Sequence, residues 1–279
     1  MPTINTLLED INHFITTKEI SVNDKEKERI IKETIKDIEY TLRDFLSPRE
    51  SDKKPHLRAS NIGHNDRKLY YDMNGDSEEE KLSPQLLTTF LQGHILEAVI
   101  LMFVEMSGHE VSSKQVEVEL EGIIGHIDCV IDNTLIDIKT ASPYSYVEKF
   151  VKGGILEGKD DFGYALQADL YAQALGLEER GWLAMNKASG AMTLLINDSF
   201  INNAKEQVKE KKELIAKKEL PPRCYNDKED GKGGNKILEK GCQWCRHKFH
   251  CWENLRGFKY SNGVKWFTHV EKEPKVEEI

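Results

Sequence analysis

The hydrophobic positions of this chain follow two periods, one typical of strands and one typical of helices. Two β-branched runs, residues 123–131 and 135–140, flank the dipeptide Asp132-Asn133, which favours a tight hairpin turn. Apolar residues spaced three and four apart predict helices over residues 86–106 and 162–175. Strands interleaved with helices indicate an α/β fold with a mixed sheet.

Further segments with the same two periods complete the predicted order of elements. The additional strands are residues 116–120, 181–186 and 192–196, and the additional helical segments are residues 145–156 and 199–219. The expected parts are a helical N-terminal extension (1–55), a core (56–220), a cysteine-rich segment (221–255) and a tail that frays (256–279). Gly176 is the expected end of the helix over residues 162–175.

The predicted hairpin brings charged residues together on one face. With a two-residue turn at Asp132-Asn133, antiparallel pairing places Asp128 opposite Asp137, and directly opposed residues share a face. Because side chains alternate along a strand, Lys139 lies on that same face. Like charges in apposition are destabilising. Either a divalent cation binds between the carboxylates, or the pair lies on a solvated face with Lys139 as its counter-charge.

Polar residues also interrupt the two predicted helices at regular intervals. Gln167 and Tyr171 are four residues apart and therefore share a helix face. Gly93-His94 and Glu97 break the apolar run over residues 86–106. Ionisable groups in such a run need partners, since burying them alone is costly. Glu97 is the better ligand for a hard cation by its chemistry, and the sequence leaves the choice between Glu97 and His94 open.

Taken in order, these pieces resemble the PD-(D/E)XK nuclease superfamily, specifically RecB-type nuclease domains and their phage exonuclease relatives. The match extends over residues 56–255. The matching motifs are Gly93-His94-x-x-Glu97, Gly125-x-x-Asp128, Asp137-x-Lys139 and Gln167-x-x-x-Tyr171. The resemblance implies a restriction-endonuclease-like core, with a mixed central sheet flanked by helices.

The resemblance also implies a chemistry, which is metal-dependent hydrolysis of DNA. Lys139 is expected to position or activate the attacking water, while Gln167 and Tyr171 orient the phosphate or the lysine. Mg²⁺ or Mn²⁺ is expected on a ligand set formed by Asp128, Asp137, the carbonyl of Ile138, and Glu97 or His94.

By the same resemblance, an exonuclease in recombination, replication or repair is expected. Its substrate would be single- or double-stranded DNA, attacked at the ends, and its partners would be replication or recombination proteins. The alternatives are a catalytically inactive DNA-binding or scaffold protein of the same fold and a nuclease of CRISPR adaptation.

The cysteines suggest a second site. Four of the five fall within a short stretch near the C-terminus, namely Cys224, Cys242, Cys245 and Cys251. This spacing is typical of metal ligation and suits either Zn²⁺ or an iron–sulfur cluster. The fifth, Cys129, points to the apolar face of the hairpin and is expected in the core. Trp244 and Trp252, beside the cluster, are expected either to stack on bases or to pack around it.

Several RecB-type relatives carry a 4Fe-4S cluster with three closely spaced cysteines after the core, which Cys242, Cys245 and Cys251 match. Those relatives take a fourth cysteine from a Cys-x-Arg-Lys motif before the core. Here Asn65 occupies that position, in Asn65-Asp66-Arg67-Lys68. The resemblance therefore leaves Cys224 as the expected fourth ligand of a 4Fe-4S cluster, with Zn²⁺ as the alternative metal. The possible substitutes for Cys224 are His64, His247 and His250.

Charge and hydropathy limit which partners and which cellular location are expected. The net charge of −9 over 279 residues argues against nucleic-acid affinity through bulk charge, although it permits local basic clusters such as Lys53-Lys54 and residues 246–248. No apolar run of about 20 residues and no signal-peptide pattern is evident in the sequence. A cytoplasmic protein of a bacterium or of a phage-infected cell, without a membrane partner, is expected.

Overall fold

The computed structural model of the protein describes residues 2–48, 55–74, 83–199, 203–217, 219–261 and 263–279. Lys53 and Lys54 lie outside these residues. The chain divides into two compact units, residues 1–63 with 81–209, and residues 64–80 with 210–279. The predicted N-terminal helices therefore belong to the same unit as the hairpin that carries Asp137 and Lys139.

The helices and strands follow each other in the α/β order that the sequence predicts. The helices are α1 (Leu7–Thr17), α2 (Asp24–Leu46), α3 (Ala59–Ile62), α4 (Asp66–Asn74), α5 (Pro84–Met106), α6 (Pro143–Ser145), α7 (Tyr164–Leu175), α8 (Ala204–Ala216), α9 (Lys240–Gln243) and α10 (Lys248–Cys251). A 3₁₀ turn (Ile4–Thr6) precedes α1, and a π-helical turn (Tyr146–Val151) follows α6. The strands are β1 (Val111–Ser112), β2 (Glu117–Leu120), β3 (Ile123–His126), β4 (Cys129–Ile131), β5 (Thr134–Ala141), β6 (Arg180–Asn186), β7 (Met192–Asn197), β8 (Asp227–Glu229), β9 (Lys236–Leu238), β10 (Arg256–Tyr260), β11 (Gly263–His269) and β12 (Glu277–Glu278).

The central sheet of the first unit has the strand order β1-β4-β5-β6-β7. Strands β5 and β6 are parallel and the other neighbours are antiparallel, so the sheet is mixed, as predicted. Ile136 and Ile138 of β5 join a core cluster with residues of α1 and α5. On the opposite face Trp182 and Ala184 of β6 pack with Ala168 of α7. Helices therefore cover both faces of the sheet, which confirms the predicted fold class.

The hairpin between β4 and β5 has the predicted register. Cys129 pairs with Ile136, and Ile131 pairs with Thr134. Asp132 and Asn133 have φ angles of 46° and 66°, as the two central residues of a type I′ turn require. Cys129 is fully buried in the core, as expected.

The single strand predicted over residues 123–131 is wrong, because the chain leaves one sheet and enters another within it. Strand β3 pairs with β2 in a separate two-stranded sheet, whereas β4 belongs to the central sheet. At the break, Oδ2 of Asp128 accepts a hydrogen bond of 2.7 Å from the backbone N–H of Ile138. The Asp128 side chain thus accepts a hydrogen bond from the backbone of β5 at the point where the strand pairing stops.

Helix α5 begins where its N-cap Ser83 accepts a hydrogen bond of 3.2 Å from the N–H of Leu86. By length and composition it could cross a membrane, contrary to the sequence expectation that no such run exists. This property is weak evidence for a membrane span, because the core helix of a water-soluble protein meets the same criteria. In this structure α5 packs against α1, α2 and β5.

Helix α7 ends at Gly176, in the left-handed conformation at φ 70°, as predicted. Its start is two residues later than the predicted Phe162, because Gly163 has a φ of 76° and cannot continue a right-handed helix. A Cβ on Gly163 would lie 2.3 Å from backbone atoms of Gly63. The close approach of these two glycines fixes the turn that leads into α7.

The second unit contains an antiparallel sheet with the strand order β12-β10-β11-β9-β8. The expectation of a frayed tail over residues 256–279 is wrong, since the tail forms three strands of this sheet. Phe258 and Phe267 from the tail bury their side chains with Ile237 of β9. The segment 230–235 is the turn between β8 and β9, where Asn235 Oδ1 accepts hydrogen bonds from the backbone of residues 271 and 272.

Candidate active site and cysteine cluster

The predicted convergence of Asp137 and Lys139 on one face of β5 is present in the structure. Asp137 and Lys139 pair with Trp182 and Ala184 of β6, so they lie on the face that α7 covers. The Lys139 Nζ atom lies 2.6 Å from Oδ2 of Asp137. The two groups therefore form a buried ion pair, and Asp137 also lies close to Asp128. Asp128 is held on the same β5 segment through Ile138.

The charges of this group depend on one another. Burial raises the pKa of Asp128 to about 8, and the nearby Asp137 carboxylate is the second contribution to this rise. Burial also raises the pKa of Asp137, although the Lys139 ammonium opposes that change. Burial by itself would lower the pKa of Lys139, but the two carboxylates outweigh it and raise the pKa. The lysine therefore remains an ammonium, and its single positive charge lies beside two buried carboxyl groups.

The residues present fit a hard divalent cation. Two buried carboxyl groups, those of Asp128 and Asp137, offer the oxygen ligands that Mg²⁺ and Mn²⁺ prefer. Within the described part of the chain, no three His, Cys, Asp or Glu side chains are grouped so that they could hold an ion. Mg²⁺ does not need such a cage, because it commonly binds one or two carboxylates together with waters and substrate phosphates.

His94 and Glu97 on α5 are placed differently with respect to solvent. The His94 side chain is 67% exposed, whereas that of Glu97 is 19% exposed. Glu97 Oε1 accepts a hydrogen bond of 2.7 Å from Gln115, and the Glu97 carboxylate raises the pKa of His94. The charge of Glu97 also acts on Asp128 and Asp137. Glu97 is therefore the less exposed of the two side chains, and the choice between them as a metal ligand stays a prediction.

Gln167 and Tyr171 lie on one face of α7, as predicted, with Gln167 Nε2 3.2 Å from the Tyr171 hydroxyl. Tyr171 is buried, which raises its pKa, and the carboxylates of Asp137 and Asp128 act in the same direction. A Cβ on Gly125 would lie 2.6 Å from the Tyr171 hydroxyl. The glycine of the Gly125-x-x-Asp128 motif thus makes room for the tyrosine.

Sequence reasoning missed Tyr164 as a neighbour of the site. The Lys139 Nζ atom lies 5.1 Å from the centroid of the Tyr164 ring, within cation–π distance. The signal was available, since Tyr164, Gln167 and Tyr171 are spaced three and four residues apart and therefore follow one helix face.

The four clustered cysteines are free thiols of the second unit. Burial raises the pKa of Cys242 to about 11. The thiols of Cys245, Cys251 and Cys224 also raise this pKa, as expected of groups that lie near Cys242. In the residues that the structure describes, these sulfurs do not form a metal-holding group. Thiolate chemistry fits a soft metal or an iron–sulfur cluster.

The two tryptophans beside the cluster differ. Trp252 is buried with Leu238 and Cys242, and Arg223 lies 4.0 Å from its ring centroid. Trp244 is 83% exposed. Trp252 therefore belongs to the packing around the cysteines, while Trp244 does not.

A buried aspartate that sequence reasoning missed holds the cysteine-rich segment to α4. Asp72 lies 2.6 Å from Nε2 of His247, 2.5 Å from Nη2 of Arg246 and 3.4 Å from Nδ1 of His64. Hydrogen bonds from these groups lower the pKa of Asp72 in spite of its burial. His64 and His247, the possible substitute ligands, are thus already engaged. An acidic residue in the sequence Tyr-Tyr-Asp-Met gives no local signal of this role.

Comparison with known proteins finds solved structures with a similar arrangement of helices and strands. No protein-family model matches the sequence, and no curated protein matches it. Similar solved structures include an alkaline exonuclease, LHK-Exo, from Laribacter hongkongensis, in a complex with dAMP (17% identity, 59% of this chain and 90% of that chain, TM-score 0.40). A phage-related exonuclease from Haemophilus somnus 129PT has 14% identity over 60% of this chain and 94% of its own, with a TM-score of 0.41. The crystal structure of SSO0001 has 15% identity over 77% of this chain and 93% of its own, with a TM-score of 0.43.

Proposed function

We propose that this chain is a DNA nuclease of the PD-(D/E)XK type that requires Mg²⁺ or Mn²⁺. One observation carries the proposal: Asp137 and Asp128 are buried close together beside the ammonium of Lys139. Such a group is costly to maintain for stability alone, because buried charges must be compensated. A divalent cation would supply positive charge for the second carboxylate, and a substrate phosphate would accept hydrogen bonds from Lys139.

In this proposal Asp128, Asp137, the Ile138 carbonyl and Glu97 hold the metal. When bound, the metal supplies charge for the phosphoryl oxygens and lowers the pKa of a bound water. Lys139, which stays protonated, positions that water and the phosphate by donating hydrogen bonds. The Ile138 N–H keeps Asp128 in place, and Gln167 with Tyr171 orients the phosphate from α7.

The finer assignment is an exonuclease that acts at the ends of single- or double-stranded DNA. Its setting is recombination, replication or repair in the cytoplasm of a bacterium or a phage-infected cell, with replication or recombination proteins as partners. The supports are the resemblance of the four motifs to RecB-type domains and their occurrence on α5, on β3 with the link to β4, on β5 and on α7.

Digestion of end-labelled single- and double-stranded DNA, with Mg²⁺, with Mn²⁺ and with a chelator, tests the function. We expect degradation only with a divalent ion, and mononucleotides released from an end if the enzyme is an exonuclease. A closed circular substrate separates this activity from endonuclease activity. DNA binding without degradation under any metal condition would instead identify an inactive binding or scaffold protein.

A first prediction separates Glu97 from His94. Glu97→Gln removes a charge from the carboxylate group and should lower kcat by about 10²-fold or more, with little loss of stability. His94→Ala removes a largely exposed side chain and should change kcat by less than about tenfold. Steady-state rates over a Mg²⁺ titration make the measurement. Equal losses in the two variants, or a larger loss for His94→Ala, would reverse the assignment.

For the second site, the proposal is a 4Fe-4S cluster on Cys224, Cys242, Cys245 and Cys251, with Zn²⁺ as the alternative. The mutual influence of the thiols and the spacing of the last three cysteines support it.

The corresponding prediction concerns the purified protein. Anaerobic purification should give a brown protein whose broad visible absorbance bleaches on oxidation. Because ligand binding by a cysteine-rich segment is coupled to its folding, Cys245→Ser should make residues 219–261 more sensitive to protease. Cys129→Ser is the matched control for thiol loss outside the segment. One equivalent of zinc in a colourless protein would replace the iron–sulfur assignment, and metal-free protein with unchanged protease resistance would remove the site.

A further inference from the structure

An ordered layer of aromatic rings and lysines extends from the catalytic group to the surface of the first unit. Lys139 Nζ lies 5.1 Å from the Tyr164 ring centroid, and the Tyr164 ring is stacked on Phe162 with centroids 5.4 Å apart and planes at 19°. Lys149 Nζ lies 4.2 Å from the Phe162 centroid and 5.8 Å from that of Tyr164. Phe162 itself remains 50% exposed.

The turn that carries Phe162 is fixed by contacts independent of these rings. Asp160 Oδ1 accepts a hydrogen bond of 3.0 Å from the N–H of Gly163, and Oδ2 accepts one of 2.8 Å from the N–H of Ala165. The backbone approach of Gly163 to Gly63 allows no side chain at either residue. Phe162 is thus held at the surface on a rigid turn, although exposure of an aromatic ring does not stabilise the fold.

We propose that Phe162 is a base-stacking residue, which seats a nucleobase of the DNA strand whose phosphate reaches Lys139. A half-exposed ring on a fixed turn, with the Lys149 ammonium 4.2 Å from its centroid, suits a base attached to a phosphate backbone. The Tyr164 ring is stacked on Phe162 and lies within cation–π distance of Lys139, so the base belongs to a nucleotide close to the phosphate that is cut.

Lys149 has a separate role in this arrangement. Its ammonium holds the Phe162 ring through a cation–π contact. It is therefore a positioning residue, and Phe162 is the residue that contacts the base. The identity of the strand as substrate rests on the proposed nuclease function.

The test combines Phe162 variants with base deletion in the DNA. A set of short single-stranded oligonucleotides, each with one abasic nucleotide at successive positions from the end, is compared with the intact strand. For the wild-type protein, removal of one base should weaken binding or raise KM by roughly 5- to 100-fold, the usual range for loss of one stacked base. Phe162→Ala should cause a similar loss with the intact strand and should no longer respond to that abasic position.

Two controls keep the result specific to stacking. Phe162→Trp retains a stacking ring and should stay within about threefold of the wild type. Tyr40→Ala removes a 72% exposed ring from α2 of the same unit and should have no effect. If Phe162→Ala binds and cleaves like the wild type, or still responds fully to the abasic position, the proposal is overturned.

Binding measured with Ca²⁺ in place of Mg²⁺ separates this proposal from the nuclease function. Binding that depends on Phe162 and on one base, without cleavage in Mg²⁺ or Mn²⁺, would support the stacking site and overturn the enzyme. Cleavage that does not depend on Phe162 would do the opposite. Absence of both binding and cleavage would overturn both.

Discussion

Lys139→Ala is expected to reduce the rate of DNA cleavage by about 10²- to 10⁴-fold, the range for loss of a group that positions or transfers a proton. The reason is that the Lys139 ammonium lies against Asp137 and remains charged beside the reacting phosphate. The measurement is kcat on end-labelled DNA with Mg²⁺ and with Mn²⁺. Lys152→Ala, an exposed lysine of the same unit that pairs with Glu148, is the matched control.

This substitution should also change how the protein responds to metal. Without Lys139, Asp137 and Asp128 lose the ammonium that offsets their charge, so the folded state depends more on a divalent cation. The increase in melting temperature on adding Mg²⁺ should be larger for Lys139→Ala than for the wild type. Cleavage at the wild-type rate by Lys139→Ala would sink the proposed mechanism.

Asp72→Ala is expected to destabilise the second unit by about 3–5 kcal/mol, the usual cost of leaving a buried charged network without one partner. Asp72 is buried and joins His64 and His247 with Arg246, so its loss detaches α4 from the cysteine-rich segment. Limited proteolysis with mass spectrometry should detect new cleavage within residues 219–261. Retention of wild-type protease resistance would show that the network does not hold the segment.

Two variants limit the interpretation of the Asp72 result. Asp66→Ala removes a more exposed carboxylate of the same helix, which pairs with Lys211, and should cost at most about 1 kcal/mol. Asp72→Asn retains the shape of the side chain and removes its charge. A loss with Asp72→Asn close to that of Asp72→Ala would assign the effect to the charge.

Local sequence patterns were sufficient to predict the hairpin and the C-terminal end of α7. The Asp132-Asn133 turn fixes the register by its own backbone geometry, and side-chain alternation then places Asp137 and Lys139 on one face. Gly176 ends α7 because only a residue that tolerates the left-handed region continues the chain there. These features depend on residues close together in sequence, so a periodic pattern is enough to predict them.

Other features of the site depend on contacts between distant segments. The start of α7 follows from the approach of Gly163 to Gly63, one hundred positions earlier, which no local pattern contains. The division of residues 123–131 between two sheets follows from the hydrogen bond between Asp128 and Ile138. The different exposure of His94 and Glu97, and of Trp244 and Trp252, likewise depends on how distant segments pack.

The sequence by itself determined the α/β class with its mixed sheet, the turn at Asp132-Asn133, and the shared face of Asp137 and Lys139. Periodicity and turn chemistry act over a few residues and survive without knowledge of the fold. Only the tertiary structure decided the pairing of Phe258 and Phe267 with their neighbours in the tail, the Asp72 network, and the aromatic layer from Tyr164 to Phe162. These rest on packing and on burial of charge between segments far apart in the chain, which a local pattern does not record.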